Sequence, residues 1–164
     1  MKFDPARHHR HAMRLKGYDY AQAGAYYVTI CTYRRERLFG EVNAEGFMCL
    51  NACGDMVVSC WEDLPRHYPQ VELDAFVVMP NHLHGILVLD DGVAGKRHSL
   101  SEVIRGFKTW SARRVNVLRG AEGVPVWQRS FYDAIIRDET MLNAIRQYID
   151  TNPAQWSVDK ENIG

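Results

Sequence analysis

The chain lacks any apolar run approaching the roughly 18 residues that a membrane-spanning helix requires, so no membrane partner is expected. Its basic N-terminus is not followed by an apolar segment, and no secretion signal is expected either. Cysteine is scarce: Cys31, Cys49, Cys53 and Cys60 form no Cys-x-x-Cys pair. Cys53 and Cys60 stand seven apart in a helical pattern, share a face and read as small packing residues. A reduced, cytoplasmic protein is the expectation. Repeats, low-complexity tracts and linkers are missing too. What remains is 164 residues, 46% of them hydrophobic, enough for one domain with its own core.

Net charge is absent as well, at +0, which taken alone argues for indifference to nucleic acid. The distribution argues otherwise. Pro5 to Arg37 holds seven Lys/Arg against two acids, and Arg105 to Arg119 holds five against none. The intervening Leu38 to Val78 carries seven acids and one Arg. Such segregation can set a positive field on one face of a neutral molecule, with an ordinary solvated surface as the plainer alternative.

Along the chain, residues 1–24 read as an extended basic arm, 25–156 as a single domain and 157–164 as a C-terminal tail. Tyr26 to Tyr33, rich in aromatic and β-branched residues, predicts a strand, and Gly46 to Leu50 a short second one. Asn51 suits the cap of a helix running to about Asp63, before Pro65. Val71 to Met79 and His82 to Leu89 predict two strands broken by Pro80-Asn81. Ser99-Leu100-Ser101-Glu102 is a capping box, in which the serine and the glutamate reciprocally satisfy free backbone donors. The helix behind it carries Leu100, Ile104, Phe107, Ser111, Val115 and Leu118 on one stripe and stops near Gly120. Val126 to Ile136 is a further strand candidate. Asp138 caps a last helix that stops at Asn152, because Pro153 disfavours helical geometry before it. Strands interspersed with helices predict an α+β fold, helices over an antiparallel sheet.

His82 and His84 are two apart on a predicted strand, so both imidazoles leave the same face and can bind one ion. An isolated His-x-His is more often a pair of ordinary polar residues. Here it interrupts an apolar strand, where unpaired polar side chains are costly, and a functional pair becomes the better reading. Two histidines rarely complete a coordination shell, so other ligands must join them. A histidine-triad hydrolase needs a third alternating histidine where Ile86 stands, and twin His-x-Thr phosphoesterases need a threonine where His84 stands.

Tyr148 and Asn152 lie one helical turn apart on the edge of a stripe formed by Leu142, Ile145 and Ile149. Should that helix pack on the histidine face, Asn152 offers a third ligand oxygen and Tyr148 points at a metal-bound phosphate. A tyrosine hydroxyl, with a reference pKa of about 10, is a poor nucleophile at neutral pH. A divalent ion beside the scissile phosphate offsets that by neutralising developing charge. The plainer reading makes Tyr148 an interfacial core residue, and Tyr132 is the rival nucleophile, on a strand without an amide partner one turn away.

With these residues together, the chain resembles the single-tyrosine HUH transposases, in particular the REP-associated tyrosine transposases. The similarity runs from about Gly17 to Asn152. It includes Gly17-Tyr18-Asp19-Tyr20, Val28-Thr29-Ile30-Cys31-Thr32, Val77 to Gly85 with its Pro80-Asn81-His82-Leu83-His84 centre, Ile104 to Lys108, Val126 to Arg129 and Tyr148 to Pro153. The resemblance implies a ferredoxin-like (RRM-like) antiparallel sheet flanked by helices and a Mg²⁺ or Mn²⁺ site. It also implies a 5′-phosphotyrosine intermediate with a free 3′-hydroxyl, strand rejoining, and single-stranded DNA substrates folded into palindromic hairpins. His82, His84 and Tyr148 carry over directly. Asn152 stands where mobile relatives often have glutamine. A homodimer is left open.

For DNA contacts the sequence nominates Arg105, Lys108 and Arg119 on one flank of the middle helix, and Arg7, Arg10 and Arg14 in the N-terminal arm. Trp110, Trp127 and Tyr132 are candidate stacking platforms, with a core role the better reading for Trp127. Two other functions compete with strand cleavage and joining. One is a domesticated, non-cleaving DNA-hairpin binder; the other is an RNA-binding module of similar topology, which predicts exposed sheet aromatics and no metal requirement.

Overall fold

Strand β1 (Gly24–Cys31) carries two messages at a period of two. In the computed structural model, which describes residues 24–90 and 94–162, Tyr26, Val28 and Ile30 join the main apolar core, and Tyr27 joins a second cluster on the other face. The N-terminal arm, with Arg7, Arg10 and Arg14, lies outside the described residues.

β1 sits inside a four-stranded antiparallel sheet of order β4-β5-β1-β6, formed with β4 (Val71–Met79), β5 (His82–Leu89) and β6 (Tyr132–Ile136). Helix α1 (Ala52–Glu62) precedes β4 in the chain, and helix α3 (Leu100–Arg119) connects β5 to β6. Each crossover skips one strand of the sheet, which is the ferredoxin-like split βαβ arrangement expected. A short hairpin, β2 (Gly40–Val42) with β3 (Met48–Leu50), and a four-residue helix α2 (Leu64–His67) are inserted before β4. After β6 comes α4 (Glu139–Thr151), followed by a 3-10 helix over Pro153–Val158.

The helix starts follow their side chains. Asn51 accepts from Gly54 N at 2.9 Å, Ser99 from Glu102 N at 3.2 Å and Asp138 from Met141 N at 2.7 Å. Gly120 ends α3 in the left-handed conformation, φ 62.

Helices α1 and α3 cover one face of the sheet, where Trp61, Ile104, Phe107 and Val115 meet Val28, Ile30, Leu83 and Leu87. Gly85 belongs to this face by alternation, and a Cβ there would come within 2.5 Å of Trp61 Cζ2. Glycine after His84 therefore lets an indole lie directly on the strand. Helix α4 covers the opposite face, where Ile145 and Ile149 pack on Tyr27 and Ile86. Arg146 ties α4 to the edge strand β4 through two bonds to the Asp74 carboxylate, at 2.8 and 2.6 Å.

Three expectations need correction. Only Tyr132–Ile136 of the expected Val126–Ile136 strand is continuous. Upstream, the chain makes a single bridge from Trp127 to Thr32 and then bends so that the carbonyls of Gln128, Arg129 and Ser130 converge on Lys108. The α3 stripe ends at Val115 and the buried Asn116, which donates to Val124 O at 2.8 Å; Leu118 is 47% exposed because the last turn overhangs the core. Finally, the strand expected over Gly46–Leu50 is confined to Met48–Leu50, and it pairs with β2, too short to carry a pattern of its own.

Candidate active site

β5 interleaves the two faces residue by residue. Leu83 and Leu87 point into the main core, while His82, His84 and Ile86 face α4. Both histidines are fully buried. Their Nε2 atoms stand 3.0 Å apart.

The second nitrogen of each ring decides what Nε2 can do. Asn81 donates through Nδ2 to Glu161 O at 2.5 Å, which turns its Oδ1 toward His82 Nδ1 at 2.8 Å. An amide oxygen only accepts, so Nδ1 of His82 carries the proton and Nε2 keeps a lone pair. His84 Nδ1 lies 2.8 Å from both Thr29 Oγ1 and the Tyr27 hydroxyl, and Thr29 donates to Tyr27 at 3.2 Å. When His84 Nδ1 carries the ring proton, it donates to the Thr29 oxygen, whose own proton goes to Tyr27, and Nε2 then offers a lone pair. Two lone pairs facing each other at 3.0 Å repel unless a cation or a shared proton sits with them. Metal–ligand bonds of about 2.1 Å meeting at right angles put two ligand atoms about 3.0 Å apart, so the pair fits one ion.

Helix α4 brings Tyr148 to this pair. Its ring centroid is 5.3 Å from that of His84. The side chain is half-buried, and burial pushes the hydroxyl up to about 12, with the Asp159 charge adding and a hydrogen bond from Asn152 opposing. Asn152 is 1% exposed, and its Oδ1 has no hydrogen-bond partner. A buried carbonyl oxygen without a donor is costly, and a cation would relieve it. Tyr132 sits farther along the same face, edge-on to Tyr27 at 5.9 Å, with a buried hydroxyl whose pKa burial raises.

The region read as a tail contributes as well. After α4 the chain turns over the histidine face. Trp156 stacks on His82 at 6.1 Å, and Arg37 lies over the Trp156 ring at 5.5 Å. Glu161 pairs with Arg35. The side chain of Asp159, 2% exposed, brings Oδ2 to 3.9 Å from His82 Nε2. Ligand atoms of His82, His84 and Asp159 all lie within 4.8 Å of one another. Sequence reasoning missed Asp159, because it lies beyond the helix stop in a stretch with no periodicity to assign it a face.

The nominated DNA contacts fall elsewhere. Helix α3 lies on the sheet face opposite the histidines. Arg105 is exposed on it. The Lys108 ammonium is turned inward onto three carbonyls at 2.8 to 3.2 Å, and burial pulls its pKa down to about 8. Arg119 bonds Asn116 Oδ1 at 2.8 Å and Pro125 O at 3.3 Å. Among the aromatic candidates, Trp127 is a core residue bonded to Ser111 Oγ at 2.9 Å, and Trp110 stacks on Tyr68 and touches His67 at a tilt.

Residues 21–152 match the model of a protein family described as IS200-like transposases. The chain belongs to the IS200-like transposase family. An uncharacterized protein of Haemophilus influenzae is 36% identical to this IS200-like chain over 180 residues, covering 97% of this chain and 96% of the relative. Among solved structures, a REP-associated tyrosine transposase bound to a REP hairpin has the same fold, with TM-score 0.63 and 23% identity over 91% of this chain and 77% of the other. A candidate transposase of Deinococcus radiodurans matches with TM-score 0.52 and 21% identity, covering 85% and 96%. The antiparallel sheet flanked by helices is thus the family's fold on this chain. No helix among the described residues is long and apolar enough to cross a membrane.

Proposed function

We propose that this IS200-like protein is a metal-dependent DNA strand transferase of the REP-associated tyrosine type, acting in the cytoplasm. It takes single-stranded DNA folded into palindromic hairpins, cuts it through Tyr148 and rejoins the ends. The observation that carries this reading is the juxtaposition, on one buried face, of two histidine Nε2 atoms 3.0 Å apart with a tyrosine ring 5.3 Å from the His84 ring and an amide oxygen lacking any donor.

In this reading His82, His84 and Asn152 hold Mg²⁺ or Mn²⁺. The mixed nitrogen and oxygen donors suit Mn²⁺ well and accept Mg²⁺. When bound, the ion supplies charge neutralisation at the scissile phosphate. Tyr148 Oη attacks phosphorus and gives up its proton as the bond forms. The bond from phosphorus to the 3′ oxygen breaks, and that oxygen takes up a proton as the free 3′-hydroxyl. A 5′-phosphotyrosine remains, and attack by a 3′-hydroxyl reverses the step and rejoins a strand. Asn152, hydrogen-bonded to Tyr148, steadies the phenolate that burial opposes. Asn81 and Thr29 fix the ring tautomers on which the ion depends. Phosphate contacts outside the site fall to Arg105 and to Arg7, Arg10 and Arg14, since Lys108 and Arg119 spend their donors on the protein's own carbonyls and amide.

The test is strand cleavage of a hairpin oligonucleotide in Mn²⁺. Wild type is expected to cut and Tyr148→Phe to lose cutting by roughly a thousandfold or more while still binding the hairpin, since the nucleophile alone is gone. Binding without cutting by the wild-type protein would favour the non-cleaving hairpin binder instead.

A further inference from the structure

We infer that Asp159 is a further protein ligand to the ion, so that metal binding and the docking of residues 153–162 on the histidine face are one event. This rests on the metal-site reading above and extends it to a residue beyond the stretch that matches the family model.

The geometry of the carboxylate is divided. Asp159 Oδ1 accepts from Glu161 N at 2.8 Å, which fixes the turn after the 3-10 helix. That leaves Oδ2 directed at His82 Nε2, 3.9 Å away. Ligand atoms about 2.1 Å from one ion are separated by about 3.0 Å when adjacent and about 4.2 Å when opposite. The 3.0 Å between the two histidines and the 3.9 Å to Asp159 both fall in that span. Burying a carboxylate to 2% exposure is expensive unless positive charge meets it.

An independent observation points to the same spot. Asn152, the C-cap of α4 one turn beyond Tyr148, is buried with its Oδ1 lacking a donor. Two oxygens from the end of α4 and its continuation, with two nitrogens from β5, make a hard-leaning donor set that favours Mn²⁺ or Mg²⁺ over softer ions.

The segment is held from outside the site as well. Asn81 Nδ2 donates to Glu161 O at 2.5 Å, Arg37 donates to Asn162 Oδ1 at 2.5 Å, and Arg35 pairs with Glu161. Asn81 thus orients His82 with one end of its amide and grips the Asp159-bearing turn with the other. A shift of the turn therefore moves a ligand and a ligand's support together.

The experiment is Mn²⁺ titration of the full chain without DNA, following free Mn²⁺ by electron paramagnetic resonance. A second readout is the rise in melting temperature on Mn²⁺ addition, each variant being compared with itself in chelator, so that altered metal-free stability cancels. Asp159→Asn is expected to weaken Mn²⁺ binding by roughly tenfold or more, with Asp159→Glu recovering part of it. His84→Ala should remove binding altogether. Asp159→Asn binding within twofold of wild type, while His84→Ala fails to bind, would overturn the role of Asp159 and leave the histidine site standing. Unchanged binding in His84→Ala would overturn both.

Discussion

The two faces of the sheet share strands but not chemistry. The face under α1 and α3 is mainly apolar, from Leu89 and Tyr26 to Leu83, Phe107 and Trp127, with buried Ser111, bonded to Trp127, and buried Asp133, opposite Val28, as its polar exceptions. The face under α4 is apolar for only half its length, where Tyr27, Ile86, Ile145 and Ile149 meet. Beyond them the buried residues turn polar: Thr29, His82, His84 and Asn152. Buried polar groups cost stability unless each finds its partner, and a partly satisfied network is the most expensive kind. The Asn152 oxygen remains without a donor. One face is thus mainly packing while the polar groups of the other gather around the histidines, and β5 serves both because its residues alternate.

The contrast can be broken from either side. On the apolar face, Phe107→Ala removes a fully buried ring packed against Trp61 and Trp127. It is expected to cost about 3–5 kcal/mol of stability in denaturant unfolding, with Mn²⁺ affinity of the folded protein unchanged. A large loss of metal affinity would mean that the faces are not independent. On the polar face, Thr29→Val keeps shape but deletes the oxygen that accepts from His84. Mn²⁺ affinity should fall roughly 10- to 100-fold with little change in melting temperature. Unchanged affinity would show that Tyr27 alone sets the tautomer of His84.

The smallest effect concerns alkaline stability. The Tyr148 hydroxyl, raised from 10.0 to about 12, stays protonated in the folded protein after it has ionised in the unfolded chain. The folded state then holds the extra proton, so its stabilising share is complete below about pH 10 and is lost as pH climbs toward about 12. Tyr148→Phe should flatten part of that fall in urea unfolding. Tyr27 and Tyr132 shift in the same direction, so the slope shrinks without vanishing. An identical slope in the variant would mean that Tyr148 is solvated, contrary to its position beside His84.

Much of this was legible in the sequence because it is local. Asn51, Ser99 and Asp138 cap helices with bonds three residues ahead, and His82 and His84 share a face by strand alternation alone. Tyr148 and Asn152 meet through one helical turn. Contacts between distant segments were not legible. Asp159 reaches His82 across 77 positions only because the chain doubles back after Pro153. Lys108 reads as a phosphate contact from its helix flank, yet the bend at Gln128–Ser130 draws it inward. Helical periodicity marked Leu118 as core, but the sheet beneath α3 runs out before its last turn.

The central claim, that Tyr148 is the nucleophile of a metal-dependent DNA strand transferase, is tested most directly by mapping the covalent bond. Wild-type protein is incubated with a hairpin oligonucleotide and Mn²⁺, digested, and analysed by mass spectrometry for a nucleotide-bearing peptide. The expected result is a 5′-phosphodiester on the peptide containing Tyr148, absent in chelator and in Tyr148→Phe. An adduct on the peptide containing Tyr132, or cleavage with no adduct at all, would contradict it.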